Sequence, residues 1–262
     1  MGIKMFIEQI PLWFFYAVSV GIVFSSVLVG FWLGSILRRN NRGSDAPVGT
    51  IVGSMLGLLA FILAFTFGMA ASRFDARKQL LLDETNAIGT AFLRADFLPA
   101  VQCNETKKLL LKYVNIRTGM VGHPDKLAQA LIDSDKLHAQ LWAQVSGIQQ
   151  LGINPVLPGL YAQALNDVID FHSKRVTVGY QYRIPGSFWM ALYFVTILTM
   201  GMVGYDFGIN GRGVIAVSLI LALAFSAIIV LIEDLDRPTE GMLKVSQQPM
   251  FELQEKISKG VE

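Results

Sequence analysis

Four long, predominantly apolar stretches of this chain carry no charged residue: 9–37, 46–72, 184–205 and 213–232. Each reaches or exceeds the ~20 apolar residues that cross ~30 Å of hydrocarbon at 1.5 Å per residue. Four buried helices of a water-soluble domain do not need that length. The sequence therefore predicts an all-α membrane protein with four transmembrane helices. A mean hydropathy of +0.47 agrees. The first run is too long for the core of a signal peptide and no small-residue cleavage site follows it, so it is expected to stay as a membrane helix.

Composition removes several function classes. The 22 Lys and Arg nearly balance the 20 Asp and Glu, and no basic stripe interleaved with aromatics favours nucleic acid. The single cysteine, Cys103, excludes an intrachain disulfide and a cysteine-based metal site.

The organisation follows from the four windows. A first hairpin occupies 1–72, with an amphipathic lead-in over 1–8 and spans at about 11–37 and 48–72. A helical extramembrane domain, 73–184, is inserted between the second and third spans. A second hairpin occupies 185–232, with spans at about 186–205 and 214–232. The tail, 233–262, holds a short amphipathic helix bearing Met250, Phe251, Leu253 and Ile257. Pro11 opens the first span, where proline is favoured in a first helical turn. Trp13, Phe14, Phe15 and Tyr16 follow it at the place of an interfacial aromatic belt. Within the middle domain, Pro99, Pro124, Pro155 and Pro158 punctuate helical periods and predict a bundle. One helix would bury Leu109, Leu110, Tyr113 and Val114. The next would bury Leu127, Leu131, Leu137, Leu141 and Trp142. Leu165, Val168, Ile169 and His172 recur at i, i+3, i+4, i+7 on the last.

The second span and its continuation carry the most specific pattern. No proline interrupts 48–98, so one helix is expected to project well past the membrane. Every fourth residue reads Gly49, Gly53, Gly57, Phe61, Phe65, Met69, Arg73, Arg77, and such positions stack on one slowly winding helix face. Glycines at this spacing serve close helix crossing, as do Gly30 and Gly34 on the first span. Phe61, Ile62 and Phe65 are candidates for an apolar constriction of a pore, which gates by dewetting. Arg73 and Arg77 leave the membrane on the same side as Glu233, Asp234 and Asp236. Two readings stand side by side here, an ion-pair lattice at the boundary and an arrangement that attracts ions.

Chemistry elsewhere is sparse. Asp83 and Glu84 are adjacent on a helix and point to different faces. Asp133, Asp135 and His138 read as a solvated face, and the three histidines are dispersed without helical metal-ligand spacing. No nucleophile elbow, P-loop or dinucleotide fingerprint occurs. None of the four windows holds an ionisable acid or base of the kind ion-coupled transporters carry. The sequence predicts neither an enzyme nor a cofactor.

Several segments together resemble the bestrophin-like domain family of bacterial membrane proteins. They are LAFTFGMAASRFDAR at 63–77, DETNAIGTAFLR at 83–94, FHSKRV at 171–176 with RIP at 183–185, and DLDRP at 234–238. Their order covers nearly the whole chain. A more distant likeness is to bestrophins proper, pentameric channels whose second transmembrane helix lines the pore with a bulky apolar neck. That resemblance implies a homo-oligomer in a bacterial inner membrane, bound by lipid and conducting small anions past Phe61, Ile62 and Phe65. Arg73 and Phe74 resemble the arginine–aromatic segment beyond that neck, without the tryptophan pair usual there. The acids after the fourth span resemble the region where animal members bind calcium, without their dense acidic run, so no metal is expected. A non-conducting scaffold or sensor whose helical domain binds a partner protein is the alternative.

Orientation rests on flanking charge. Nine Lys and Arg flank the spans on the side of the termini and middle domain, against four on the other, which favours a cytoplasmic domain and cytoplasmic termini. Without the middle domain the count is three against four.

Overall fold

A computed structural model describes residues 11–39, 47–149, 154–211, 215–237 and 241–261. The lead-in at 1–8 lies outside them, as do Arg42, Arg212 and Pro238. Among the described residues the structure is helical, with no strand. In chain order the helices are α1 (Leu12–Arg39), α2 (Val48–Arg94), α3 (Ala100–Gly119), α4 (Leu127–Gln149), α5 (Val156–Val176), α6 (Gly186–Asn210), α7 (Ile215–Asp236) and α8 (Gln248–Ser258). One π-helical turn, Thr177–Gln181, follows α5.

Prolines set the starts. Pro11 and Pro47 stand just before α1 and α2, and their carbonyls accept the first amides, from Phe14 at 3.0 Å and Thr50 at 3.0 Å. Pro99, Pro155 and Pro185 occupy the N-caps of α3, α5 and α6. A proline there gives up no helical hydrogen bond, because the first amides of a helix have no intrahelical acceptor. The long α2 runs unbroken for 47 residues, about 70 Å at 1.5 Å per residue.

The chain forms two compact units, Met1–Arg73 with Arg183–Leu243, and Phe74–Tyr182 with Lys244–Glu262. In the first unit, α1, the apolar part of α2, α6 and α7 are each long and apolar enough to cross a membrane. The protein is integral to a membrane. Here α1 and α6 approach until backbone meets backbone. A Cβ on Gly30 would collide with the Gly201 carbonyl, one on Gly34 with the Tyr205 carbonyl, one on Gly204 with the Val27 carbonyl and one on Gly208 with the Phe31 carbonyl. Lipid tails are as apolar as leucine, so helices in a bilayer gain from close packing rather than from escape from water, and small residues allow it. Buried hydroxyls line the same unit: Ser19 shares a 2.7 Å hydrogen bond with Tyr193, and Thr196 donates to the Leu192 carbonyl at 2.7 Å. At the far end of α6, Gly211 takes a left-handed φ of 65° as its C-cap, with the Arg38 guanidinium lying against it.

In the second unit, the later part of α2 shares one core with α3, α4, α5 and α8. Leu81, Ile88 and Ala91 of α2 meet Leu110, Tyr113 and Val114 of α3, Leu137 and Leu141 of α4, and Tyr161, Leu165 and Val168 of α5. Met250, Leu253 and Ile257 of α8 enter the same core, so the amphipathic tail helix is one of its walls.

Helix α4 departs from the expected face. Leu137 and Leu141 are buried, but Leu127 and Leu131 are only half-buried and Trp142 is 40% exposed. His138, read from its polar neighbours as solvated, is buried, along with Ala130 and Ser134. The inward stripe thus runs 130, 134, 137, 138, 141, rotated from the one the leucines alone suggest.

Candidate functional site

The stripe on α2 is the least covered part of the first unit. The apolar window of α2 is 11% buried, against 22% to 28% for the other three membrane helices. Leu59, Leu63, Thr66 and Ala70 turn inward. On the opposite side a Cβ at Gly49, Gly53 or Gly57 would meet nothing within 4 Å among the described residues. Phe61 is 68% and Phe65 53% exposed, with Ile62 half-buried beside them. The Phe65 ring stacks at 6.4 Å on Phe188 of α6, which holds it against its own chain. The glycine–phenylalanine face is therefore continuous, apolar and open within a single chain.

Below the aromatic rings the face turns basic. Arg73 is half-buried and Arg77 is buried, with its guanidinium 5.9 Å from the Phe74 ring in a cation–π contact. At the end of α7 the acids are built into the first unit. Glu233 accepts from Arg237 Nε at 3.0 Å across one helical turn. Asp236 lies 3.3 Å from Arg183 Nε and accepts the Ile184 amide on both oxygens at 3.2 Å. Asp234 accepts the amides of Met242 and Leu243 at 2.8 and 3.1 Å. That fold-back requires Gly241, whose φ is 125° and where a Cβ would strike the Asp234 carboxylate. Three carboxylates thus hold the loop before α6 and the chain after α7 in place. Among the described residues no group of three or more His, Cys, Asp and Glu side chains is arranged to hold a metal.

The most elaborate polar cluster is in the second unit, around Glu84. Its carboxylate is completely buried. Arg117 approaches both oxygens, with Nε 3.1 Å from Oε1 and Nη2 3.2 Å from Oε2, while Arg175 bonds to Oε2. The Tyr113 hydroxyl donates to Oε1 at 2.6 Å. Arg175 also donates to Gln247 Oε1 at 2.6 Å, just before α8. Burial by itself would raise the Glu84 carboxyl. Arg117 foremost, with His172, Arg175 and Tyr113, outweighs it and holds the group well below the usual carboxylate range. Burial and the Glu84 charge push the Tyr113 phenol well above its ordinary value, so it stays a donor.

A single proton on Tyr113 fixes more. Because that proton is directed at Glu84, the His172 Nδ1 that lies 2.9 Å from the same hydroxyl must carry its own hydrogen and donate. The whole cluster is acceptor-matched around one carboxylate.

The family model described as "Bestrophin-like domain" matches residues 17–250. The chain belongs to the bestrophin-like family. Its fold is shared with crystal structures of a bacterial bestrophin homologue from Klebsiella pneumoniae. A single-substitution variant superposes with a TM-score of 0.64 at 14% identity, covering 92% of this chain and 97% of the other. Another such variant gives 0.66 at 14% identity, covering 95% and 96%. A third structure, phased on zinc, gives 0.63 at 14% identity over 92% and 96%. No curated protein matches the chain by sequence.

The sequence singled out Phe61, Phe65, Arg73 and the acids, but it did not show the partners that Phe65 and the acids have in the structure. Glu233 and Arg237 stand at i, i+4, a spacing visible in the sequence. Arg183 and Asp236 are far apart in the chain and gave no such signal. Nothing local marks Glu84 as the hub, since its partners lie 29, 33 and 91 positions away.

Proposed function

We propose that this chain is one subunit of an oligomeric membrane channel for small ions, anions foremost, with the path lined by α2 and narrowed by Phe61, Ile62 and Phe65. The observation that carries the reading is the open glycine–phenylalanine face of α2. A lone subunit leaves uncovered the helix with the most regular small-residue spacing, and a ring of copies would use its glycines for approach and its aromatics as a hydrophobic gate. Five copies is the number the family resemblance implies. The first unit then spans a bacterial inner membrane among lipids. The second is an extramembrane helical bundle inserted between the second and third spans, cytoplasmic together with both termini. Arg73 and Arg77, where α2 leaves the apolar segment, raise local anion concentration at the mouth. The acids at the end of α7 support this site by fixing the chain around it.

Planar-bilayer recording of the purified protein tests the proposal. The expected result is a conductance that rises in Phe65→Ala, because a smaller, less apolar ring lowers the dewetting barrier. Absence of conductance, or the same conductance in Phe65→Ala, removes the pore from α2. A monomer in detergent by light scattering would favour instead a scaffold or sensor with a partner-binding helical domain.

A further inference from the structure

Beside the Glu84 cluster sits a second histidine that the cluster does not use. His138 of α4 is 7% exposed. Its ring centroid is 4.8 Å from that of His172, edge to face, and 5.0 Å from the Tyr113 ring. Its Nε2 is buried and makes no hydrogen bond with any described residue. His138 therefore packs as an aromatic group in a wall of rings, and the position suits the neutral imidazole.

The charges around it make protonation costly. From α2 it faces Glu84, from α3 Tyr113 and Arg117, and from α5 His172 with Arg175 one turn on; its own helix offers Asp135, which is exposed. The buried Arg117 and the half-buried Arg175 already share a single carboxylate, and both oxygens of that carboxylate are taken. A new cation at His138 would find no buried acceptor, a poor solvation shell and a like charge at Arg117.

We propose that His138, packed against His172, is an acid-sensitive lock on α4: a neutral His138 holds α4 in the second unit, and protonation of His138 releases it while α2, α3 and α5 stay joined through Glu84. The asymmetry comes from where the charges sit. Glu84, Tyr113, Arg117, His172 and Arg175 link α2, α3 and α5 to one another, whereas α4 contributes rings and leucines to the core and has no buried ion pair among those described. Acid thus attacks the helix held by apolar contact alone. Burial foremost pushes His138 from an ordinary 6.5 down to about 4. By linkage, the equilibrium for opening α4 should rise about 20-fold between pH 7 and pH 5, since the open state takes up the proton the closed state refuses.

The test is hydrogen–deuterium exchange of the full-length protein in detergent micelles at pH 7 and pH 5, corrected for intrinsic exchange. The expected result is a loss of protection of about 20-fold confined to 127–149, absent in His138→Leu. If His138→Leu does not fold, His138→Gln keeps a neutral polar side chain there and should show the same flat response. An independent readout is the imidazole titration by NMR of the histidine-labelled protein, where His138 should remain neutral at pH 5.5. Equal loss of protection in wild type and variant, loss spread evenly over α3 and α5, or a His138 that titrates near 6.5 would each overturn the proposal.

Discussion

In the first unit α1 and α6 touch through backbone, with glycines 30, 34, 204 and 208 clearing the way; in the second unit the helices gather around a buried carboxylate shared by two arginines and a tyrosine. With the second unit outside the membrane, as proposed, the contrast follows from solvent. Between membrane helices there is no hydrophobic gain to spend on polar desolvation, so stability comes from contact distance and from hydroxyls such as Ser19 and Thr196 that bond nearby. The second unit draws its drive from a large apolar core, which can carry the cost of burying Glu84 and Arg117 in return for a defined arrangement of three helices. Small residues set the contact of α1 with α6 in the first unit, and a buried carboxylate ties α2, α3 and α5 together in the second.

Breaking the charged hub should have the largest effect. Glu84→Ala leaves Arg117 and Arg175 without their carboxylate and should cost about 3–5 kcal/mol, read by denaturation of the full chain. Replacing the pair together, Glu84→Leu with Arg117→Met, should recover part of that loss. If the single variant proves as stable as wild type, the hub is ornamental and the comparison fails on this side.

The glycines sharpen the other side. Gly204→Ala drives a methyl into the Val27 carbonyl and should destabilise the first unit by about 1–3 kcal/mol. Gly53→Ala meets open space in one chain, so a folded subunit should tolerate it. A change in assembly or current without loss of subunit stability in Gly53→Ala would assign that glycine to contact between copies. Equal destabilisation by the two substitutions would erase the distinction between covered and uncovered glycine faces.

Acid separates the units again. His138 has a folded value lowered to about 4 from 6.5, so its contribution is fully present above about pH 6.5 and is lost as pH falls toward 4. Between pH 7 and pH 5 that amounts to about 2 kcal/mol, visible in the second unit and absent from His138→Leu. Glu84 adds a further loss only below its ordinary range, because its folded value is depressed. The smallest effect belongs to Lys259→Ala, whose partner Glu255 is as exposed as the lysine; thermal denaturation should not change.

Most of the architecture was legible because spans and prolines are local signals. Charge-free windows gave the four membrane helices, the absence of proline over 48–98 gave the length of α2, and Pro99 and Pro185 gave two helix starts. The amphipathic period of 250, 253 and 257 gave α8, while its place in the core of the second unit depends on contacts that no local pattern encodes. Gly30 and Gly34 were readable as a small-residue pair; Gly201, Gly204 and Gly208 on the partner helix have the matching spacing and went unread. His138 was misplaced because Asp133, Asp135 and Lys136 surround it in sequence, although Ala130, Ser134, Leu137 and Leu141 already outlined an inward face through it. Glu84 was invisible for a different reason. A hub whose partners lie on other helices leaves no periodicity of its own.

The central claim is that the open face of α2 borders water in the assembled protein. Charged, membrane-impermeant thiol reagents can test it directly on Phe65→Cys in a Cys103→Ser background, recorded in planar bilayers, with Trp32→Cys on the exposed face of α1 as the comparison. Rapid modification and block of the current at position 65, with no change at position 32, is the outcome expected of a conducting path along α2. A current that ignores modification at position 65, or equal reactivity at the two positions, would contradict it.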